Sequence, residues 1–176
     1  MIEHPILNFS VLKSFILFLS FSAVSILQAQ ISPPFDFETS ETTPEFINFE
    51  MAETLVVENP DPSGINASAS VAQMVRYPEG NVWAGSIVTL PDYLDLTEVG
   101  AFRLKVYSPV EGAVMKLKLE GLQVIELDAL TTTSNAWETL TWDFTGVPGG
   151  IFNQVAFMFD YGVEGDGTYF STFYFD

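Results

Sequence analysis

Residues 101–130 read AFRLKVYSPVEGAVMKLKLEGLQVIELDAL, and the alternation in this stretch decides the fold. Phe102, Leu104 and Val106 fall on one face of a strand, with Arg103, Lys105 and Tyr107 on the other. Met115, Leu117 and Leu119 alternate in the same way with Lys116, Lys118 and Glu120, and Ile125 and Leu127 with Glu126 and Asp128. A period of two marks a strand with one face on a core and the other in water. SPVEG (108–112) and GLQ (121–123) interrupt the pattern with turn-forming residues.

The same period continues outward. WETLTWDF (137–144) places Leu140, Trp142 and Phe144 inside, with Trp137 out of that phase, at an edge or under a loop. QVAFMFDY (154–161) places Val155, Phe157, Phe159 and Tyr161 inside. TYFSTFYF (168–175) reads as the last strand, with Phe173 and Phe175 inward and Tyr174 and Asp176 on the other face. FDFE (35–38), EFINFE (45–50), TLVVE (54–58), SVAQMV (70–75) and GSIVTL (85–90) read as further strands. Nine or ten short strands separated by Gly- and Pro-rich turns predict one all-β domain, an antiparallel jelly-roll β-sandwich.

Lys13 precedes the apolar run SFILFLSFSAVSIL (14–27), which is followed by QAQ. This predicts a secretory signal peptide over residues 1–29, with the sandwich occupying 30–176 of an exported protein: extracellular, at the cell surface or periplasmic. The alternative is a retained N-terminal anchor. The formal net charge of −17 repels phosphate backbones, which excludes nucleic acid as a partner. There is no cysteine, so an exported domain must take its stability from its core, where 14% aromatic residues supply ample material.

The only histidine, His4, lies in the signal segment. Ser-His-Asp and Cys-His catalysis and His- or thiolate-based zinc sites are therefore excluded in the rest of the chain. Two carboxylates in a cleft would still suit a glycosidase. The nearest approach to the E-x-D-x-x-E pattern of jelly-roll glycosidases is ELDALT, where Thr131 stands in place of the second glutamate after Glu126 and Asp128. The reading is a protein that is not an enzyme.

Arg103, Lys105, Lys116 and Lys118 project from two consecutive strands, and two registers are open. If SPVEGA closes a hairpin, Lys105 faces Lys116 and Arg103 faces Lys118, a repulsive arrangement suited to an anionic ligand. If the hairpin closes at Gly121-Leu122-Gln123, Lys118 faces Glu126 and Lys116 faces Asp128, and the patch is neutralised. For ligand contact the most suggestive segment is YPEGNVWAG (77–85), a polar turn-rich loop carrying Trp83. A ring exposed there can stack on a sugar while Arg76, Tyr77 and Asn81 bond hydroxyls. The competing reading has Trp83 folding back as a lid on the core.

The segments NPDPSGINASASVAQMVRYPEGNVWAG (59–85), FRLKVYSPVEGAVMKLKLE (102–120), AWETLTWDF (136–144) and the closing YFD (174–176), taken in order, resemble the galactose-binding-domain-like carbohydrate-binding modules. Such modules accompany bacterial glycoside hydrolases and cell-surface proteins. The resemblance implies a non-catalytic sandwich that binds polysaccharide or oligosaccharide, alongside further domains of the same polypeptide such as a glycoside hydrolase. A structural or adhesive sandwich that recognises protein or spaces domains is the alternative. The resemblance also implies a structural calcium held by Glu38 and Asp176, with oxygens from Asp61, Ser63 or Asn66, and a domain truncated at its C-terminus, since related modules continue past this point.

Overall fold

A computed structural model describes residues 33–97 and 100–176; the expected signal peptide at 1–29 lies outside the described residues. Ten strands are present: β1 (Ile47–Phe49), β2 (Ala52–Glu58), β3 (Ser70–Arg76), β4 (Gly85–Thr89), β5 (Ala101–Tyr107), β6 (Val114–Gly121), β7 (Val124–Leu130), β8 (Trp137–Asp143), β9 (Phe152–Met158) and β10 (Thr172–Phe175). They form two antiparallel five-stranded sheets, ordered β1-β4-β9-β6-β7 and β2-β3-β10-β5-β8. The expected all-β sandwich is the fold.

The stretch at 101–130 resolves the question of register. β5 and β6 belong to different sheets, so SPVEGA crosses the sandwich and is not a hairpin loop. Arg103 faces Thr141 and Lys105 faces Thr139 on β8, which overturns the facing-cation arrangement. The hairpin is β6–β7, pairing Lys116 with Asp128, Lys118 with Glu126 and Glu120 with Val124. Lys116 makes ion pairs to Asp128 at 2.8 Å and Glu126 at 3.4 Å, and Lys118 to Glu120 at 2.9 Å. A slip of one residue would turn Leu117 and Leu119 into water, which is why the apolar pattern specifies the register.

Three local departures from the expected strands stand out. FDFE is not a strand, although Phe37 is buried in the core. Residues 169–171 form a 3-10 turn whose N-cap, Thr168, accepts from the Phe170 N–H, so the last strand starts only at Thr172. Asp160 adopts a left-handed φ of 51°, a conformation aspartate tolerates better than most residues. That breaks the alternation after β9, and Tyr161 is not in the core: its ring lies 4.5 Å from the Lys116 ammonium.

Thr131, the residue that spoiled the glycosidase pattern, is buried for a structural reason. Its hydroxyl donates to the Val110 carbonyl at 2.9 Å and accepts from the Ala113 N–H at 2.9 Å, fastening the end of β7 to the crossing segment.

The core is aromatic at its centre. The Phe175 ring lies 5.1–5.9 Å from those of Phe37, Phe46, Phe157 and Phe159, three of the four contacts edge-to-face and that with Phe157 stacked. Trp142 is buried with its indole N–H donating to the Met115 carbonyl at 2.9 Å, so the one polar atom of this side chain is satisfied across the sandwich. Phe175→Ala is expected to cost about 3–5 kcal/mol, read as a large fall in the midpoint of thermal or denaturant unfolding.

Candidate functional site

The loop over 77–84 is pinned to the tight turn between β1 and β2. Tyr77 donates its N–H to the Met51 carbonyl at 2.8 Å, and its hydroxyl donates to Glu53 at 3.0 Å. Asn81 donates to Glu50 at 2.6 Å. Gly80 fits because a Cβ there would stand 2.2 Å from the Glu50 carbonyl oxygen. The loop thereby holds Trp83 with 41% of its surface exposed, stacked on Phe49 at 6.0 Å with 29° between the rings. Trp83 is neither core nor lid.

Phe49 links this loop to the outer face of the β1-β4-β9-β6-β7 sheet. Asn48 points between the sheets, accepting from the Ser86 hydroxyl at 2.7 Å, so Ile47 and Phe49 face outward. Next to Phe49 come Gly85 on β4, Met158 on β9, then Lys116 on β6 and Asp128 on β7. The adjacent row runs Ile47, Ile87, Ala156, Lys118 and Glu126. Gly85 and Ala156 contribute no side chain or a single methyl, and Ala156 and Met158 are buried in the middle of this face. Tyr161 joins from the following loop, which donates the Gly162 N–H to the Val82 carbonyl at 3.0 Å. One exposed indole, a second aromatic ring and a border of lysines and carboxylates thus share one face. Burial lowers the affinity of Lys116 for its proton, but Asp128 and Glu126 outweigh it and hold the ammonium charged.

Of the four residues expected at a sugar site, Trp83, Tyr77 and Asn81 share this end of the molecule, while Arg76 does not reach its surface. Arg76 is fully buried. Its guanidinium donates to the carbonyls of Asp160 (3.0 Å) and Val163, and lies 3.9 Å from the Asp160 carboxylate. It is the clamp that folds the 160–167 loop back on β3, and its own carbonyl accepts from the Gly167 N–H at 2.8 Å. Burial raises the Asp160 pKa and Arg76 opposes the rise; burial likewise lowers that of Arg76.

The five residues implied for calcium divide into two groups. Glu38 accepts from the N–H groups of Ala69 (2.7 Å) and Ser70 (3.3 Å), and Asp176 accepts from the Ser68 hydroxyl at 3.0 Å, so both carboxylates reach the segment entering β3. Buried Asn66 is there too, accepting from Ser68 N–H at 3.3 Å. The Lys105 ammonium donates to Asp176 at 2.7 Å and to Asn66 at 3.3 Å. Asp61 and Ser63 instead bond to each other at 2.6 Å, and the Asp61 carbonyl accepts from the Trp137 indole at 2.9 Å. Sequence reasoning missed Lys105, because its partner Asp176 is 71 positions away.

No family model and no curated protein sequence matches this chain. Solved structures do match in fold. The family 11 carbohydrate-binding module of a cellulosomal cellulase from Clostridium thermocellum aligns with a TM-score of 0.50 and 14% identity, over 75% of this chain and 83% of that one. A xylan-binding domain from Paenibacillus barcinonensis aligns with a TM-score of 0.50 and 14% identity, over 81% and 87%. The fold is that of the β-sandwich carbohydrate-binding modules. An arabinose-bound α-L-arabinofuranosidase also matches, with a TM-score of 0.54 and 17% identity; 78% of this chain aligns with 23% of that enzyme. A module-sized sandwich thus recurs both alone and within a larger chain.

Because Arg76 is half of a buried ion pair, Arg76→Leu is expected to destabilise the module by about 3 kcal/mol. The sign with pH follows from Asp160. Its folded-state pKa lies above the ordinary value and rises further without Arg76, so the folded state holds that proton more tightly than the unfolded chain. The deficit of the variant should be full above that pKa and shrink as pH falls through it, in unfolding curves compared across the carboxylate range.

Proposed function

We propose that this module binds a polysaccharide or oligosaccharide without catalysing its breakdown, on the face bounded by Trp83 and Phe49. The observation that carries the reading is the exposed Trp83 indole, stacked on Phe49 at the edge of a face bordered by lysines and carboxylates. An indole offers a flat apolar surface for the CH-rich face of a pyranose, at small entropic cost because the ring is already fixed. Asn81 and the Lys116–Asp128 pair offer donors and acceptors on the same face. Glu126 and Asp128 face lysines rather than a cleft, which supports binding over hydrolysis. The solved modules of like fold include one named as xylan-binding, and this supports the reading at the level of ligand class. Export through the segment at 1–29 and linkage to further domains such as a glycoside hydrolase belong to the same proposal.

Affinity electrophoresis through gels containing neutral polysaccharides is the direct test. Trp83→Ala should weaken retention about tenfold or more with little change in melting temperature, since the side chain is half exposed. Unchanged retention would remove Trp83 from the site, and no retention of the parent protein by any glycan would leave a spacer or adhesive role.

We also propose a calcium ion among Glu38, Asn66, Ser68 and Asp176, where it would tie the N-terminal segment and the loop entering β3 to the end of β10. The donors are all oxygens, the set calcium prefers. Lys105 already serves Asp176 and Asn66, so the ion must displace its partly exposed ammonium. At 100-fold over its dissociation constant, calcium should add about 2.7 kcal/mol and raise the melting temperature by several degrees relative to chelator. Identical melting in both would assign the neutralisation of Asp176 to Lys105 alone.

A further inference from the structure

The outer face of the second sheet carries a feature that the reading above does not use. Following the register across all five strands, Leu55 faces Gln73, Gln73 faces Tyr174, Tyr174 faces Tyr107, and Tyr107 faces Trp137. The row is therefore continuous from β2 to β8, about 19 Å at the usual strand spacing. Its three rings touch in sequence: Tyr174 and Tyr107 at 5.9 Å and 86°, Tyr107 and Trp137 at 5.6 Å and 64°. None of the three is fully buried. From the 3-10 turn before β10, Tyr169 (50% exposed) and Phe170 (62% exposed) extend the patch, and the Tyr169 hydroxyl donates to Asn135.

Sandwich sheets ordinarily turn polar side chains to water on this face, and cross-strand aromatic pairing alone does not explain the half-exposed ring from a turn outside the sheet. The polar edges of the row are organised as well. Gln73 donates to the Tyr174 hydroxyl at 3.0 Å, and the Trp137 N–H is shared between Asn59 at 3.2 Å and the Asp61 carbonyl at 2.9 Å. Each ring is thereby fixed in orientation and bordered by hydroxyl, amide and carbonyl groups. The Tyr174 hydroxyl, which accepts from Gln73, keeps its own proton to donate, so a hydroxylated ligand can use both the rings and their polar border.

Charge selects among hydroxylated ligands. Asp61 and Asp176 border the patch, and of the two cations that β5 turns to the same face, Lys105 is engaged by Asp176 while Arg103 stands exposed beyond it, facing Thr141. With a net charge of −17, the module would repel a uronic-acid or sulfated chain here. We propose that the row Trp137-Tyr107-Tyr174, extended by Tyr169, is a second glycan-binding surface, which takes a segment of neutral polysaccharide laid across the strands of the β2-β3-β10-β5-β8 sheet. It rests on the carbohydrate reading but on the opposite face from Trp83, so one module engages a polymer on two sides.

Two measurements on the full chain separate this from the first site. In a Trp83→Phe variant the indoles among the described residues are Trp137 and the buried Trp142, and titration with soluble mixed-linkage β-glucan or xylan should still change the fluorescence through Trp137. In gels of the same glycans, Tyr169→Ala and the pair Tyr107→Leu with Tyr174→Leu should each weaken retention about tenfold, and adding Trp83→Ala should abolish it. The proposal is overturned if the second-face variants melt as the parent does and are retained like it, or if the Trp83→Phe fluorescence is silent while the parent is still retained. In both cases the first site stands. Loss of retention on Trp83→Ala alone likewise confines binding to the first face. If the parent is retained by no neutral glycan, both surfaces fall.

Discussion

The structure depends on β10 being inserted between β3 and β5. A four-residue strand at the end of the chain completes the middle of a five-stranded sheet, pairing with β3 on one side and β5 on the other. Lys105 and Asp176 exchange both backbone hydrogen bonds, at 2.8 and 3.0 Å, so the ladder continues to the last residue. Phe173 and Phe175 are the inward side chains of this strand, and both are buried against rings contributed by the other sheet and by the segment before β1. Without β10 the sheet would divide into two pairs with exposed edges, and the aromatic cluster would lose its central member. The outward side chains of the same strand are Tyr174 and Asp176. One element thus fixes the core, the second aromatic face and the carboxylate expected at the cation site.

Much of this was legible because period two is a local signal. The inward set Phe102, Leu104, Val106, Met115, Leu117, Leu119, Leu140 and Trp142 follows from alternation alone, and the β6–β7 register follows from keeping that set inside while matching lysine to carboxylate. What alternation does not encode is which sheet a strand joins. SPVEGA is as short as a hairpin loop, yet it carries the chain across the sandwich, because the inward faces of β5 and β6 meet each other through the core rather than side by side. The apparent cation cluster vanished with that crossing. Tyr161 was lost for a different reason: a single left-handed residue, Asp160, ends the alternation, and aspartate in a turn gives no warning of the side to which the next ring will fall.

The candidate site was legible in part for a related reason. Trp83 was found from its polar, turn-rich surroundings, and these do hold it at the surface. Arg76 sits in the same neighbourhood of sequence, but at the inward phase of β3, where 84 positions of chain separate it from the carbonyl of Asp160 that it binds. An arginine beside a loop looks the same in sequence whether its guanidinium points to solvent or to a returning segment. Long-range partnership decides, as it does for Lys105 with Asp176. Each ring of the second aromatic face reads as an ordinary outward residue of its own strand, and only the pairing order across β3, β10, β5 and β8 brings the rings into one line.

That line and the acidity of the chain belong together. Carboxylates around an aromatic surface cost a neutral glycan nothing in long-range repulsion, and they accept hydrogen bonds from its hydroxyls, whereas they exclude polyanions that would otherwise compete for the same rings. On the proposed reading the carboxylates of Asp61 and Asp176 act as a selectivity element, and the lysines that could have reversed their effect are placed elsewhere or engaged: Lys116 and Lys118 on the opposite sheet with Glu126 and Asp128, and Lys105 with Asp176. Paired lysines leave Arg103, exposed on β5, as a lone cation on the second face rather than part of a patch. In the proposed binding mode, recognition on either face falls to ring stacking and neutral hydrogen bonds, a mode that responds weakly to salt and strongly to the loss of a single aromatic ring.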